Sequence, residues 1–106
     1  MEIAIKQLGK IVIKSIAGIG TTIVLPGQDL SIDMGFCTTP AIRTSRVAIT
    51  HTHADHIAGI HSYLGIRRLY GMGASTFYCP AESWSQFVAF LSALDGLQVK
   101  PFEWNV

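Results

Sequence analysis

Apolar and polar residues alternate with a period of two along the first third of the chain, which is typical of strands with one buried face. The alternating runs are separated by turns that contain Gly or Pro, and the first of these turns is predicted at Gly9-Lys10. Four short strands are predicted in this way, at residues 2–8, 11–16, 21–25 and 30–33. The β-branched residues and the spacing of Gly and Pro favour an antiparallel meander over residues 1–35.

After the meander, the pattern changes to an alternation of strands and helices. A short apolar strand at residues 46–50 precedes apolar residues at helical spacing from Asp55 to near Gly65. A second helix begins at Pro80, carries an apolar stripe that we expect in the core, and ends at Asp95. The stripe consists of Trp84, Phe87, Val88, Leu91 and Leu94. Further strands are predicted at residues 67–70, 76–79 and 97–104.

This order of elements predicts an α/β protein built as α+β layers. The chain has 106 residues, of which 49% are hydrophobic, and this suits one domain with a packed core. We therefore expect a single domain over residues 1–106, with the meander at 1–35 and the strand/helix alternation at 47–106.

Charge and hydropathy bear on the class of partner. The formal net charge is +1 without a long run of either sign, so no footprint for nonspecific nucleic-acid or membrane-surface binding is visible. The adjacent pair Arg67-Arg68 is predicted to be solvated, with contact to phosphate as the alternative. No apolar run reaches the roughly 18–20 residues that span a bilayer, and no secretory signal pattern is visible.

Two cysteines, Cys37 and Cys79, are too few for a disulfide framework and too far apart for a CxxC pair. A reduced, cytoplasmic setting is therefore predicted. Cys79 lies in an apolar strand and is expected to pack in the core. Cys37 is expected to be a buried or half-buried thiol, with an approach to a metal site as the alternative.

The chemistry concentrates in the hexamer His51-Thr52-His53-Ala54-Asp55-His56, directly after an apolar strand. If residues 51–53 stay extended, His51 and His53 project to the same side and can converge on one cation. Asp55 and His56 fall at the start of the next helix and point to a second position nearby. Zinc accepts imidazole nitrogen together with carboxylate oxygen, and manganese or iron are alternatives.

Such a pair of metal positions predicts metal-assisted hydrolysis, because two metals can activate water and stabilise a leaving oxygen. All four histidines lie between His51 and His61, a density that neither a core nor a solvated surface explains well. His61 lies outside the hexamer and is predicted to be a solvent-facing helix residue. Gly59 follows Asp55 by one helical turn, where the lack of a side chain would let another segment approach closely.

The nine residues from His51 to Gly59 match the HxHxDHxxG signature at every fixed position, and the chain resembles the metallo-β-lactamase fold superfamily. The resemblance implies that His51 and His53 bind one metal. It also implies that Asp55 and His56 bind a second metal, and that Asp55 helps to move protons in catalysis.

The run Ser31-Ile32-Asp33-Met34-Gly35 is similar to the strand-plus-acid element that precedes the signature in that superfamily. The resemblance implies that Asp33 orients the metal loop through contacts with the ligands, without binding the metal itself. The alternative is an ordinary aspartate at a strand end or turn.

Within the superfamily, the order of elements over about residues 20–100 resembles ribonuclease Z-like proteins, which implies a phosphodiesterase of the tRNA 3′-end processing type. Full-length members add a histidine, a bridging aspartate and a last histidine from a second half. No histidine follows His61 here, and Asp95 is the only later aspartate. We therefore expect the amino-terminal half of an αββα sandwich, a mostly antiparallel or mixed sheet with helices on one face, and incomplete occupancy by one or two zinc ions.

Two other functions remain open from the sequence. The same scaffold could hydrolyse a small ester, lactone or thioester, which the nearly neutral charge mildly favours over RNA binding. Alternatively, the chain could be a non-catalytic metal-binding half-domain that acts through association. A half sandwich exposes a sheet face, so a homodimer or a complementary half-domain is the expected partner, with RNA as a further partner of a full-length form.

Overall fold

The computed structural model describes residues 1–6 and 9–106, and within these residues seven strands form one sheet in chain order. The strands are β1 (Glu2–Ile5), β2 (Gly9–Ile16), β3 (Gly20–Leu25), β4 (Leu30–Ile32), β5 (Arg46–Ala48), β6 (Ser75–Tyr78) and β7 (Trp104–Asn105). Pairing is antiparallel from β1 to β4 and parallel from β4 to β7. The predicted mixed α/β fold is confirmed.

Four α-helices connect the later strands: α1 (Thr39–Ile42), α2 (Ala54–Ile57), α3 (Ile60–Leu69) and α4 (Trp84–Asp95). Short 3-10 turns lie at Pro26–Gln28 and Ala81–Ser83. The helix predicted from Asp55 to Gly65 is therefore interrupted at Ala58 and Gly59, where α2 ends and α3 begins. No helix among the described residues has the length and apolar character that crossing a membrane requires.

The strand predicted at residues 67–70 is wrong, because these residues complete α3 and its C-terminal turn. Arg67 follows Tyr63 by one helical turn and is buried on the same side of α3, with 4% of its surface exposed. The prediction of a solvated Arg67-Arg68 pair is therefore wrong for Arg67 and right for Arg68, which is exposed.

Two strand boundaries at the chain's ends also differ from the prediction. Gly9 and Lys10 do not form the first turn but begin β2, paired with Ile5 and Ala4. The predicted first strand includes residues 7 and 8, which lie outside the described part of the chain. Of the strand predicted at 97–104, only Trp104 lies in a strand, at the start of β7. The Phe102 N–H donates to Asp95 Oδ1 at 2.8 Å and is therefore not available for sheet pairing.

The core lies on one face of the sheet. Four side chains that are at most 1% exposed form a continuous row through the strand register: Val24, Ser31, Val47 and Phe77. The buried residues of α3 and α4 join the same hydrophobic cluster, including Tyr63, Phe87 and Leu91. The predicted stripe on α4 is correct for Phe87 and Leu91, but Trp84 at the first turn is 51% exposed.

A second row of aligned residues lies on the opposite face, which we call the open row. Its members are Ile13, Ile23, Ile32, Ala48 and Tyr78, one from each of five neighbouring strands. None of them is buried, and Tyr78 is 50% exposed. The described residues therefore cover one face of the sheet and leave an apolar row on the other.

Candidate metal centre

The hexamer leaves the sheet at the carboxyl end of β5. Both neighbours of β5 run parallel to it, so the carboxyl ends of β4, β5 and β6 meet at one edge. The Ile49 N–H donates to the Tyr78 carbonyl oxygen at 2.7 Å, and the Asp33 N–H donates to the Ala48 carbonyl oxygen at 2.7 Å. Backbone hydrogen bonds therefore hold the segment that carries Asp33 next to the one that leads into the hexamer at this edge.

Three side chains of the hexamer converge: His51, His53 and Asp55 each offer a ligand atom, and these atoms lie within 4.8 Å of one another. His53 has an extended backbone, with φ −67° and ψ 151°, and is the residue from which α2 starts. The rings of His51 and His53 are 4.7 Å apart between centroids, so both imidazoles lie on the same side of the segment. His53 is exposed, and the other two are half-buried.

His56 lies beside this group. Its ring centroid is 3.8 Å from that of His51, and its Nε2 is 3.4 Å from Asp55 Oδ2. Its Nδ1 is 2.7 Å from Asp33 Oδ2, where the proton on Nδ1 donates to the carboxylate. With the proton on Nδ1, the Nε2 atom of His56 has a free lone pair and faces Asp55. A metal-binding imidazole needs this tautomer.

Asp33 is 2% exposed and accepts hydrogen bonds from three groups. Besides His56, the Thr50 backbone N–H donates to it at 2.8 Å, and the Thr50 hydroxyl donates to its two oxygens at 3.0 and 2.8 Å. Asp33 has φ 61°, so its backbone is in the left-handed region that non-glycine residues seldom adopt. The hydrogen bonds to its carboxylate, and the one from its own N–H to the Ala48 carbonyl oxygen, hold this conformation in place.

Thr50 extends the same network to His51. The Thr50 hydroxyl has one proton, which it gives to Asp33, so its oxygen accepts from His51 Nδ1 at 3.0 Å. The Nε2 lone pair of His51 is thereby also left available. Thr50 is a site residue that the sequence reasoning missed, although its position directly before the first histidine of the hexamer was a usable signal.

Two glycines allow the backbone segments around the site to touch. A Cβ on Gly35 would lie 1.9 Å from the Asp55 carbonyl oxygen and 2.4 Å from the Thr21 nitrogen. A Cβ on Gly59 would lie 2.8 Å from the Cys37 nitrogen and 2.8 Å from the Met34 carbonyl oxygen. The close approach predicted at Gly59 is therefore confirmed, and Gly35 is a second such position.

The remaining sequence candidates lie outside the cluster of His51, His53 and Asp55. Cys37 and Cys79 are half-buried free thiols packed against the core, and burial raises the pKa of each. His61 is exposed on α3, as predicted, with its Nε2 3.2 Å from Gln98 Nε2.

The donor set fits a transition-metal ion, because imidazole nitrogens with free lone pairs and a carboxylate face one another at an accessible edge. A mixed sheet with helices and with this motif at its carboxyl edge is compatible with the metallo-β-lactamase-like class of α/β protein.

Comparisons with known proteins show which members of this class the chain resembles. The chain is 39% identical over 68 residues to tRNase Z TRZ1 of Arabidopsis thaliana, which is 64% of this chain and 24% of that protein. It is 35% identical over 66 residues to the nuclear ribonuclease Z of Triticum aestivum, covering 62% of this chain and 38% of that protein. No family model matches the chain.

A third relative, the chloroplastic tRNase Z TRZ2 of Arabidopsis thaliana, is 33% identical over 66 residues, covering 62% of this chain and 19% of that protein. The chain is thus ribonuclease Z-like over nearly two thirds of its length, which confirms the resemblance. The matched stretch spans well under half of each of these relatives, and an amino-terminal half is compatible with such coverage.

The first prediction concerns Gly35. We expect Gly35→Ala to lower the free energy of unfolding by about 1–3 kcal/mol, because the new methyl group overlaps backbone of both β3 and the hexamer. The NMR signals of the His51 and His53 imidazoles should shift as the hexamer moves. Urea unfolding and histidine-selective NMR measure the two effects.

Gly65 provides the matched control, because it lies inside α3 and a methyl group added there would point into open space. Gly65→Ala should leave the imidazole signals in place and raise helix stability by up to about 1 kcal/mol. Equal stability of the two variants would show that the contact at Gly35 does not hold the hexamer.

Proposed function

We propose that this chain carries the first metal-binding segment of a ribonuclease Z-like phosphodiesterase, of the type that processes tRNA 3′ ends. The observation that supports this most directly is the convergence of His51, His53 and Asp55 at the carboxyl edge of the sheet. The partial matches to proteins named tRNase Z and ribonuclease Z support the substrate class.

In this proposal His51, His53, Asp55 and His56 hold zinc, with manganese or iron as alternatives. A bound metal of this kind polarises phosphodiester oxygens and lowers the pKa of water. Asp33 and Thr50 keep the Nδ1 protons of His56 and His51 in place, so that both Nε2 atoms face the site. Asp55 has the further role of accepting a proton during the reaction, since its carboxylate is half-exposed next to both histidines.

The ligands that the resemblance implies beyond these four would come from another chain or from residues outside this sequence. A cytoplasmic location belongs to the same proposal, supported by the two free thiols.

The second prediction concerns metal binding. We expect zinc to bind with a stoichiometry of at most one per chain and more weakly than at a complete site, because four protein ligands cannot satisfy two cations. His53→Ala should abolish this binding, because it removes one of the two imidazoles that face each other in the cluster. Isothermal titration with zinc measures both stoichiometry and affinity.

His61→Ala is the control, because it removes a histidine that lies outside the cluster. This variant should bind zinc as the parent chain does. Two tightly held zinc ions in a monomer, or unchanged binding in His53→Ala, would contradict the assignment of the ligands.

The third prediction concerns activity. We expect the zinc-loaded chain to hydrolyse bis(p-nitrophenyl) phosphate slowly, because a single bound zinc ion can still lower the pKa of water and polarise the phosphodiester. EDTA treatment should remove this activity. Asp55→Asn should lower the rate by at least about 100-fold, because it removes a positioned proton acceptor as well as a ligand. Release of p-nitrophenolate measures the rate.

Two outcomes of that assay would favour the other candidate functions. Faster zinc-dependent hydrolysis of p-nitrophenyl acetate than of the phosphodiester would favour an ester-type hydrolase. Zinc binding without hydrolysis of either substrate would favour a non-catalytic domain that acts through association.

Association is supported by a separate observation, the open row of the sheet. We propose that a second copy of the chain covers this row by packing sheet on sheet, since twofold pairing is the commonest form of assembly. Burial of apolar surface contributes about 25 cal/mol per Å². A complementary half-domain is the alternative occupant of the same face.

The fourth prediction tests this dimer by light scattering at micromolar concentration, where we expect twice the mass of the chain. Tyr78→Lys should shift the protein to monomer, because it places a charge in the open row. Tyr70→Lys is the matched control at a tyrosine that is 71% exposed and lies outside the sheet, and it should remain dimeric. A stable, well-folded monomer of the parent chain would refute the proposal.

A further inference from the structure

A cavity of about 160 Å³ lies at the edge of the sheet opposite the hexamer. The end of α3, the turn that follows it, the first residue of β6 and the segment before β7 enclose it. Its polar lining comes from Arg67, Arg68, Ser75, Lys100 and Glu103. A water molecule takes up about 30 Å³ in the liquid, so the cavity has room for a small polyatomic ligand.

Two lining residues have buried polar atoms that lack a partner. Among the described residues, Arg67 Nε and Ser75 Oγ are the buried side-chain nitrogen and oxygen atoms without a hydrogen bond. The Tyr63 hydroxyl donates to the Thr44 carbonyl oxygen at 2.6 Å. Burial raises the pKa of Tyr63, and the Ser75 hydroxyl lies close enough to oppose that rise, but the contact does not have hydrogen-bond geometry, so Ser75 Oγ keeps room for a better acceptor. Both Arg67 Nε and Ser75 Oγ can donate, and both residues line the same cavity.

Arg67 also lacks an ion-pair partner among the described residues, although its guanidinium lies 5.6 Å from the centroid of the Tyr63 ring. The terminal nitrogens of Arg67 donate to the carbonyl oxygens of Ile42 at 2.8 Å and Met72 at 2.9 Å, which satisfies their hydrogen bonds but supplies no negative charge. No ion pair involving Arg67, Arg68 or Lys100 occurs in the described part of the chain. A buried cation without a counter-ion is costly, and an anion in the cavity would relieve that cost.

We propose that this cavity is a binding site for a phosphate group. The lining includes three cationic side chains and one carboxylate, Glu103, so its net formal charge is +2. This charge suits phosphate better than a singly charged carboxylate. The Arg67 guanidinium and the Ser75 hydroxyl supply donors inside, while Arg68 and Lys100 are exposed and attract the anion from solvent.

A water molecule could satisfy the two unpartnered donors, but it would leave Arg67 without an ion-pair partner. The proposal is independent of hydrolysis at the hexamer, because the two sites lie at opposite edges of the sheet. The phosphate group could belong to free inorganic phosphate or to an RNA backbone, and the experiment has one arm for each.

The fifth prediction is tested by titrating inorganic phosphate into the chain without added metal, with backbone amide NMR as the readout. We expect saturable shifts at Ser75 and Lys100 and none at His51 or His53. Ser75→Ala should weaken phosphate binding about tenfold, the effect of losing one hydrogen bond to a charged group. Lys100→Gln should weaken it about two- to fivefold, because its charge is exposed.

Stability distinguishes binding from a merely structural role of Ser75. Removing an unpartnered hydroxyl should leave the free energy of unfolding of the phosphate-free chain unchanged or raise it. Lys6→Gln, an exposed lysine far from the cavity in sequence, is the matched control and should bind phosphate normally. Absence of saturable shifts at millimolar phosphate, or equal affinity in Ser75→Ala and the parent chain, would overturn the proposal.

The second arm uses a short oligoribonucleotide without terminal phosphates. Shifts at the same amides that inorganic phosphate reverses would identify an RNA backbone as the source of the phosphate group. Binding of inorganic phosphate alone would identify free phosphate as the ligand. Either result supports the site.

Discussion

The hydrogen bonds of the buried Asp33 carboxylate join the parts of the chain on which the candidate metal centre depends. Asp33 follows β4, Thr50 follows β5, and His56 lies in α2. One side chain therefore connects its own segment to two others, at sequence separations of 17 and 23 residues. An aspartate that is 2% exposed is costly to bury unless its oxygens have partners. Here the donors are also the groups that orient His51 and His56, so satisfying the buried carboxylate and setting both histidine tautomers depend on the same contacts.

The backbone supports this arrangement independently of the side chains. The Met34 N–H donates to the His56 carbonyl oxygen at 2.8 Å, and the Gly59 N–H donates to the Met34 carbonyl oxygen at 2.7 Å. On its other side the Gly35 N–H donates to the Thr21 carbonyl oxygen at 2.8 Å. The segment after β4 is therefore held between β3 and α2, at a spacing that only glycine allows.

The sequence predicted the parts that depend on local pattern. Period-two alternation identified the early strands, and the hexamer placed four ligand candidates at the end of β5, where the structure brings three of them together. Hydrogen bonds between side chains and backbone groups explain the errors. Arg67 is hydrophilic, so the sequence favoured an exposed side chain. It is buried because the carbonyl oxygens of Ile42 and Met72 lie within hydrogen-bond reach of its guanidinium. The segment before β7 has strand-like composition, but its Phe102 N–H donates to the Asp95 carboxylate and not to a neighbouring strand.

Thr50 was missed because its role depends on tertiary contact with Asp33, which is 17 residues away. His51, His53 and Asp55 have ligand atoms within 4.8 Å of one another, and Asp33, Thr50 and two glycine contacts fix the segments that carry them. A preorganised set of this kind loses little conformational entropy on binding a cation.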